Sequence, residues 1–275
     1  MSTLPLEVIE MVGQTMIKVV PVTIGLALVF TVLAHFWACN PGKAWWQKRE
    51  LLTDICYWFF VPVFARVLRI GLLVVGAAAI FNVHSADELI AFYDNGHGPL
   101  SQLPLALQAI IFLVVSDFML YWLHRMFHGG AWWKYHAIHH SSEDLEWISA
   151  ARFHPVNLLI GTISVDVILL MAGISPNIML WVGPFTTFHS AFVHANLKWT
   201  LGPLKYVIAT PVFHRWHHTS LEEGGDTNFA GTFPIWDILF GTFRMPDNVL
   251  PENYGADDKA IPTEIAGQLA YPFRQ

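Results

Sequence analysis

The stretch Pro104–His128, P-L-A-L-Q-A-I-I-F-L-V-V-S-D-F-M-L-Y-W-L-H-R-M-F-H, decides the reading of this chain. From Pro104 to Leu123 it is long and apolar enough to cross a hydrocarbon core about 30 Å thick at about 1.5 Å per residue. Its far end carries Asp117, Tyr121, His124 and His128. A helix over it spans a membrane and places two imidazoles, four residues apart, on one face just beyond the bilayer.

Two apolar runs precede it. Val19 to Cys39 contains no charged residue and reads as a spanning helix. A signal peptide would want a basic start and a small-residue cleavage site, whereas here Glu7 and Glu10 come before Lys18, so the run is expected to be a retained anchor. Lys43, Lys48 and Arg49 then alternate with Trp45 and Trp46, a mixture suited to headgroups and to a cytoplasmic loop. Cys56 to Val83 reads as a second span, its Arg66 and Arg69 facing the bundle or snorkelling. Ser85 to Leu103 has Asp87, Glu88 and Asp94 but no Lys or Arg, as expected on the opposite side. Beyond the histidine pair, Pro155 to Ile174 and Asn177 to Val193 read as a membrane hairpin turned at Ser175-Pro176-Asn177.

Composition agrees. Of 275 residues 54% are hydrophobic and 13% charged, too oily for a water-facing surface. Fifteen Lys+Arg against 21 Asp+Glu leave a net charge of −6, which excludes the basic excess that nucleic-acid binding needs. Cys39 and Cys56 flank the lysine-bearing loop and are read as inert, too few for a disulfide framework or thiolate metal site. The fold class expected is all-α, a multi-pass transmembrane helical bundle with a cytoplasmic histidine-rich metal-binding cap. Residues 1–103 form anchor helices, 104–245 a catalytic domain, and 246–275 a tail that reads as a surface wrap or partly ordered end.

Fourteen histidines make up about 5% of the chain, and eleven fall between His124 and His218. His124 and His128 alone are a weak signal. His136, His139 and His140 in H-A-I-H-H, and His214, His217 and His218 in H-R-W-H-H, share one spacing. At this histidine content a given window matches it with a probability of roughly one in ten thousand, so a repeat by chance is improbable. A purely structural role also fails, because clustered neutral imidazoles each leave a nitrogen needing a partner in an oily protein. Eight such donors exceed the four of a zinc site and suit two octahedral ions with open positions. Imidazole accepts iron, copper and zinc alike, so spacing gives a dinuclear site without naming the metal. No HExxH occurs, which disfavours a zinc hydrolase with an adjacent glutamate base.

His154 in R-F-H-P, His189 and His194 are further donors, against a plainer reading as hydrogen-bonded histidines. Asp117, Glu143, Asp226 and Asp237 are candidate partners for the imidazole N–H groups, or else caps, turn residues and solvated charges. Trp122, Phe127, Trp132, Trp133, Phe213 and Trp216 lie near the clusters and could line a lipid passage, although interfacial or core packing is the ordinary role for such rings. His35, His84 and His97 receive no role.

At these clusters the sequence resembles the fatty acid hydroxylase superfamily, membrane proteins that include sterol desaturases, fatty acid hydroxylases and alkylglycerol monooxygenase. The resemblance runs from Ser116 to Phe243 through the segments quoted above and H-A-I-H-H-S-S-E-D, H-A-N, T-P-V-F-H-R-W-H-H, D-T-N-F-A-G and W-D-I-L-F-G-T-F. It implies metal ligation by His124, His128, His136, His139, His140, His214, His217 and His218, with His194 a further ligand and His154 a candidate; His189 is a candidate by its position alone. It implies two iron ions, with zinc possible in isolated protein, and an O2-dependent oxidoreductase that hydroxylates or desaturates a lipid. The membrane would be a cell inner membrane or the endoplasmic reticulum. No nicotinamide or flavin fingerprint is present, so electrons are expected from a separate donor protein, docked with help from Arg125, Lys134 and Arg215. The alternative from another class is a membrane metal-binding or metal-transport protein without redox chemistry.

Overall fold

The computed structural model of the chain describes residues 4–94 and 96–274. Among them the architecture is helical, without strands; one isolated bridge joins Thr219 to Tyr254. Helices α1 (Leu4–Trp37), α2 (Leu51–Phe81) and α4 (Leu105–Phe127) are long and apolar enough to cross a membrane. Between α2 and α4 lies the short α3 (Ala86–Asp94). The outward faces bare Ile17, Leu28, Val75, Ile80 and Ile110, an apolar exterior that water would not tolerate over such an area. The protein is a membrane protein.

The expected hairpin is present. Its first arm is α6 (Pro155–Leu158), one π-helical stretch over Leu159–Ile163, and α7 (Ser164–Met171); its second is α8 (Ile178–His194). Pro155 starts α6 where its missing N–H costs nothing, and Nδ1 of His154 caps it by accepting from the Val156 N–H at 3.1 Å. At 17 residues α8 is about 26 Å long. The turn reaches the other end of α4, where Ser175 N–H donates to Gln108 at 2.8 Å, roughly 24 Å along the helix from His124. Gly173 is required here: it sits at φ +102° with the His97 carbonyl where a Cβ would stand. The hairpin therefore runs beside α4 for the whole interval between that turn and the histidine layer. Phe112 of α4 packs there with Val165, Leu169, Ile178 and Val182.

Arg66 and Arg69 face the bundle. Arg66 donates to Thr15 of α1 at 2.9 Å, and Arg69 pairs with Asp166 of α7 at 2.5 Å. At the histidine end, Leu26 and Phe30 of α1, Trp58 of α2 and Ala191 of α8 close around Trp147, which is fully buried. That core fastens the cap to three membrane helices. The cap also holds α5 (Trp133–His140), α9 (Pro211–His217) and α10 (Ile235–Leu239). The tail wraps the surface, as expected, but ends in α11 (Ile265–Ala270) with Gln268 and Tyr271 buried. Lys48 corrects the loop reading. It is buried against Asp54, Ser142 and Ser149 within the cap, while Lys43, Arg49 and Trp46 are exposed.

Candidate metal centre

Four helices deliver nine imidazoles to one place. His124, His128, His136, His140 and His217 form one group, and His139, His194, His214 and His218 a second; within each the ligand atoms lie within 4.8 Å of one another. The helical period explains the sorting. In α5, His136 and His140 share a face and serve the first group, while His139, offset by one residue, serves the second. The α9 segment reverses this: His214 and His218 turn to the second group and His217 to the first. Each HxxHH therefore feeds both groups, and His140 and His218 stack at 4.3 Å where the groups meet.

Five of the nine Nδ1 atoms face outward onto acceptors. His124 donates to the Phe229 carbonyl at 2.7 Å, His136 to Asn157 Oδ1 at 2.9 Å, and His139 to the Arg152 carbonyl at 3.1 Å. His194 donates to the Ser190 carbonyl at 2.7 Å and His217 to the Thr227 carbonyl at 2.7 Å. With the proton fixed on Nδ1, each Nε2 presents a lone pair. The Nε2 atoms converge: His124 and His136 Nε2 lie 2.9 Å apart, His194 and His139 3.2 Å, His214 and His194 3.1 Å, and His218 and His214 3.1 Å. Adjacent nitrogens of an octahedral ion with bonds of about 2.1 Å stand ~3.0 Å apart. Nε2 of His140 and of His217, both buried, has no protein partner. A metal ion in each group satisfies these atoms together, so the donor set fits the ions that its composition implies.

Burial, reinforced by the neighbouring imidazoles, holds His136, His139, His140, His214, His217 and His218 well below the ordinary histidine range. They are neutral at pH 7, the form that binds metal. Phe153 stacks on His139 at 4.2 Å, and Phe229 and Trp133 flank His128 at 5.0 and 5.1 Å. A crevice of about 10 Å³, room for roughly one water, lies between His128, His140, the Thr219–Leu221 turn and Gly255–Asp257.

A charged layer braces the second group from behind. The Arg152 guanidinium bonds Asp54 at 2.8 Å through Nε and Glu50 at 2.8 Å, and Lys48 pairs with the same Asp54. Burial holds Lys48 below the lysine range against the pull of Asp54. Arg215 donates to the carbonyls of Leu145 and His194 at 2.8 and 3.2 Å. Beside it, burial pushes the Glu146 carboxyl up to about 7.

Two of the eleven histidines singled out from the sequence stand outside both groups. Both ring nitrogens of His154 are engaged, by the Val156 N–H and by the Leu269 carbonyl at 3.2 Å. His189 is buried in α8 between Phe185 and Phe192, and its Nε2 has no partner in the protein. Of the four carboxylates, Asp226 lies 3.3 Å from His128 Nδ1. Glu143 pairs with Lys259 on the surface, and Asp117 and Asp237 accept backbone N–H groups. Arg215 cannot dock a donor protein, because it is 1% exposed and spent on carbonyls; Arg125 is exposed. Phe127 and Phe213 are buried in packing, whereas Trp122 and Trp132 are exposed. Asn157, Phe153, Thr227 and Asp54 received no role from the sequence; the one-dimensional spacing does not mark them, although Phe153 lies within R-F-H-P and Thr227 within D-T-N-F-A-G.

Residues 109–242 match the fatty acid hydroxylase family. The ornithine lipid hydroxylase OlsE of Rhizobium tropici is 31% identical over 245 residues, 88% of this chain and 72% of that protein. The chain belongs to the fatty acid hydroxylase family. Among other relatives of this family member, the alkylglycerol monooxygenase of Homo sapiens is 35% identical over 46% of the chain and 28% of its own length. A very-long-chain aldehyde decarbonylase, GL1-6 of Oryza sativa subsp. indica, is 29% identical over 57% of the chain and 26% of its own length. No solved structure matches this fatty acid hydroxylase family chain. The relatives and the apolar helices mark it as a lipid-modifying oxidoreductase of the membrane.

Proposed function

We propose that the protein is an O2-dependent di-iron enzyme that hydroxylates a membrane lipid, with ligands His124, His128, His136, His140 and His217 for one ion and His139, His194, His214 and His218 for the other. The observation that carries the proposal is the convergence of Nε2 atoms at 2.9–3.2 Å in two abutting all-imidazole groups. Bound iron would supply the oxidising power that no acid–base side chain has toward an unactivated C–H bond. The chain's own residues orient five of the imidazoles through their Nδ1 partners and keep the rings neutral by burial, and a crevice beside His128 and His140 has room for about one water. His154, a helix cap, and His189, packed among the phenylalanines of α8, are not assigned as ligands in this reading. The lipid chain enters sideways from the bilayer between spanning helices.

Hydroxylation, rather than desaturation, is favoured by the names of the relatives. An acylated amino-acid lipid is the favoured substrate class, because the match to the ornithine lipid hydroxylase extends over most of the chain, beyond the segment shared with the monooxygenases. Lys43 and Arg49 at the histidine end, against Asp87, Glu88 and Asp94 at the other, support a cytoplasmic metal centre. Electrons then come from a separate cytoplasmic carrier, two for each O2, with exposed Arg125 and half-buried Lys134 as docking residues. The absence of a carboxylate from both groups speaks against a zinc hydrolase, and their place at one end of α4 against transport. Anaerobic metal analysis followed by O2-uptake assays with an extracted lipid pool tests the reading, as does mass spectrometry of lipids from cells with and without the protein. About two irons per chain and a product heavier by one oxygen are expected; stoichiometric zinc with O2-independent turnover would overturn it.

A further inference from the structure

The segment from Phe229 to Phe240 stands on the same side of α4 as its lipid-facing surface. It starts at the metal centre: the Phe229 carbonyl accepts from His124, and its ring lies 5.0 Å from that of His128. It then follows α4 away from the histidine layer. Its contacts fall on Trp122, Phe118 and Asp117, roughly 8–15 Å back along the helix from Phe127 and inside the apolar span.

The segment's irregular backbone is satisfied from within the protein. Asp117 accepts the N–H of Thr232 and of Phe233, each at 2.8 Å, and the Trp236 indole N–H at 3.1 Å. Asp237 accepts the N–H of Phe229 at 2.7 Å and of Ala230 at 2.9 Å. In water these donors could be left to solvent. Non-helical backbone at membrane depth has no such recourse and needs internal acceptors. Asp237 is the segment's one charged residue and is fully buried, while Ile235, Ile238, Leu239 and Phe240 are 41, 41, 63 and 38% exposed.

We infer that Phe229–Phe240 is a re-entrant element, with the Ile235–Phe240 face docked into the bilayer at the boundary between headgroups and acyl chains. The occupant of that face is phospholipid rather than a protein partner, because the face is continuous with the span. Phe118 meets Trp236 at 4.9 Å and Trp122 meets Phe240 at 4.8 Å, which joins it to the exposed side of α4 at Ile110 and Val114. The two buried acids then keep a polar backbone intact in a medium without water. The same segment links the lipid phase to the first imidazole group. The inference rests on α4 spanning the membrane.

The test uses the intact purified protein in phosphatidylcholine vesicles containing a phospholipid with a diazirine on its acyl chain. After photolysis, labelled residues are mapped by mass spectrometry, with hydroxyl-radical footprinting on a parallel sample. Leu221, 55% exposed in a loop of the cap, is the aqueous reference. Carbene adducts on Ile235, Ile238 or Leu239 at yields of the same order as on Ile110 and Val114, with Leu239 far less oxidised than Leu221, are expected. Adducts on Ile110 and Val114 without any on residues 235–240, and Leu239 oxidised like Leu221, would overturn the inference while leaving α4 a span. No adducts at Ile110 or Val114 would remove the span itself, and this inference with it.

Discussion

His139 Nδ1 donates to the backbone carbonyl of Arg152 at 3.1 Å, and the guanidinium of the same Arg152 is held by Asp54 of α2. The second imidazole group is thereby oriented from a helix that lies outside the segment matching the family. Outer partners of this kind fix the ring angle and basicity of a ligand, and losing one costs about 10–100-fold in metal affinity. Asp54→Asn is expected to weaken one ion by that factor and spare the other, three of whose five imidazoles lean on Phe229, Asn157 and Thr227 instead. Metal analysis after graded chelation should find about one ion retained per chain, with helicity unchanged. Loss of both ions together would mean that Asp54 merely holds the cap.

The sorting of ligands makes a second prediction. His139 and His217 belong to different groups, so His139→Ala and His217→Ala should each remove one ion and leave the other. Activity in both should fall by more than the roughly 10–100-fold of outer-shell changes, because O2 chemistry needs the pair. Iron stoichiometry and O2 uptake of the purified, membrane-inserted variants check this. Wild-type turnover in either, with iron replete, would remove the ligand assignment.

The spans, the hairpin and the histidine clusters were legible because each rests on a local pattern: an apolar run, a turn tripeptide, a spacing of three and four. Which group each histidine joins was not. It follows from the angle at which α5 and α9 face one another, and His139 and His140 part ways over a single residue. Lys48 and Arg215 misled for a related reason. A cation beside tryptophans or histidines reads as surface, yet Lys48 finds Asp54, and Arg215 finds carbonyls separated from it by 20 and more residues. Long-range acceptors leave no mark in a local window. His154 and His189 look like ligands by composition, yet both lie outside the two groups, and the Leu269 carbonyl that His154 meets is 115 residues away.

Glu146 gives the cap a pH signature. Burial raises its carboxyl to about 7, while Asn196 donates to it at 3.1 Å. An unfolded glutamate ionises near 4.5. Between that pH and about 7 the unfolded chain releases a proton that the folded chain keeps. This contribution to stability is therefore complete below about pH 4.5, declines up to about pH 7, and is flat above it. Glu146→Gln keeps the acceptor for Asn196 and removes the titration. Its melting temperature should exceed that of the wild type at pH 8, and the two should converge toward pH 5. Parallel curves across that range would assign the slope to other groups.

Arg69 and Asp166 meet at 2.5 Å between α2 and α7, with Asp166 nearly buried and Arg69 Nε lacking a partner in the protein. Breaking a buried pair leaves one charge uncompensated, whereas replacing both with apolar side chains of similar volume is often neutral. Asp166→Asn should therefore destabilise the bundle by roughly 2–3 kcal/mol, near the low end for such pairs because Arg69 is partly exposed. Arg69→Met combined with Asp166→Leu should recover most of that loss. Unfolding midpoints in mixed micelles measure both. If the double variant is as unstable as the single one, the ion pair holds α2 against α7 by its charge, since apolar packing at that contact cannot replace it.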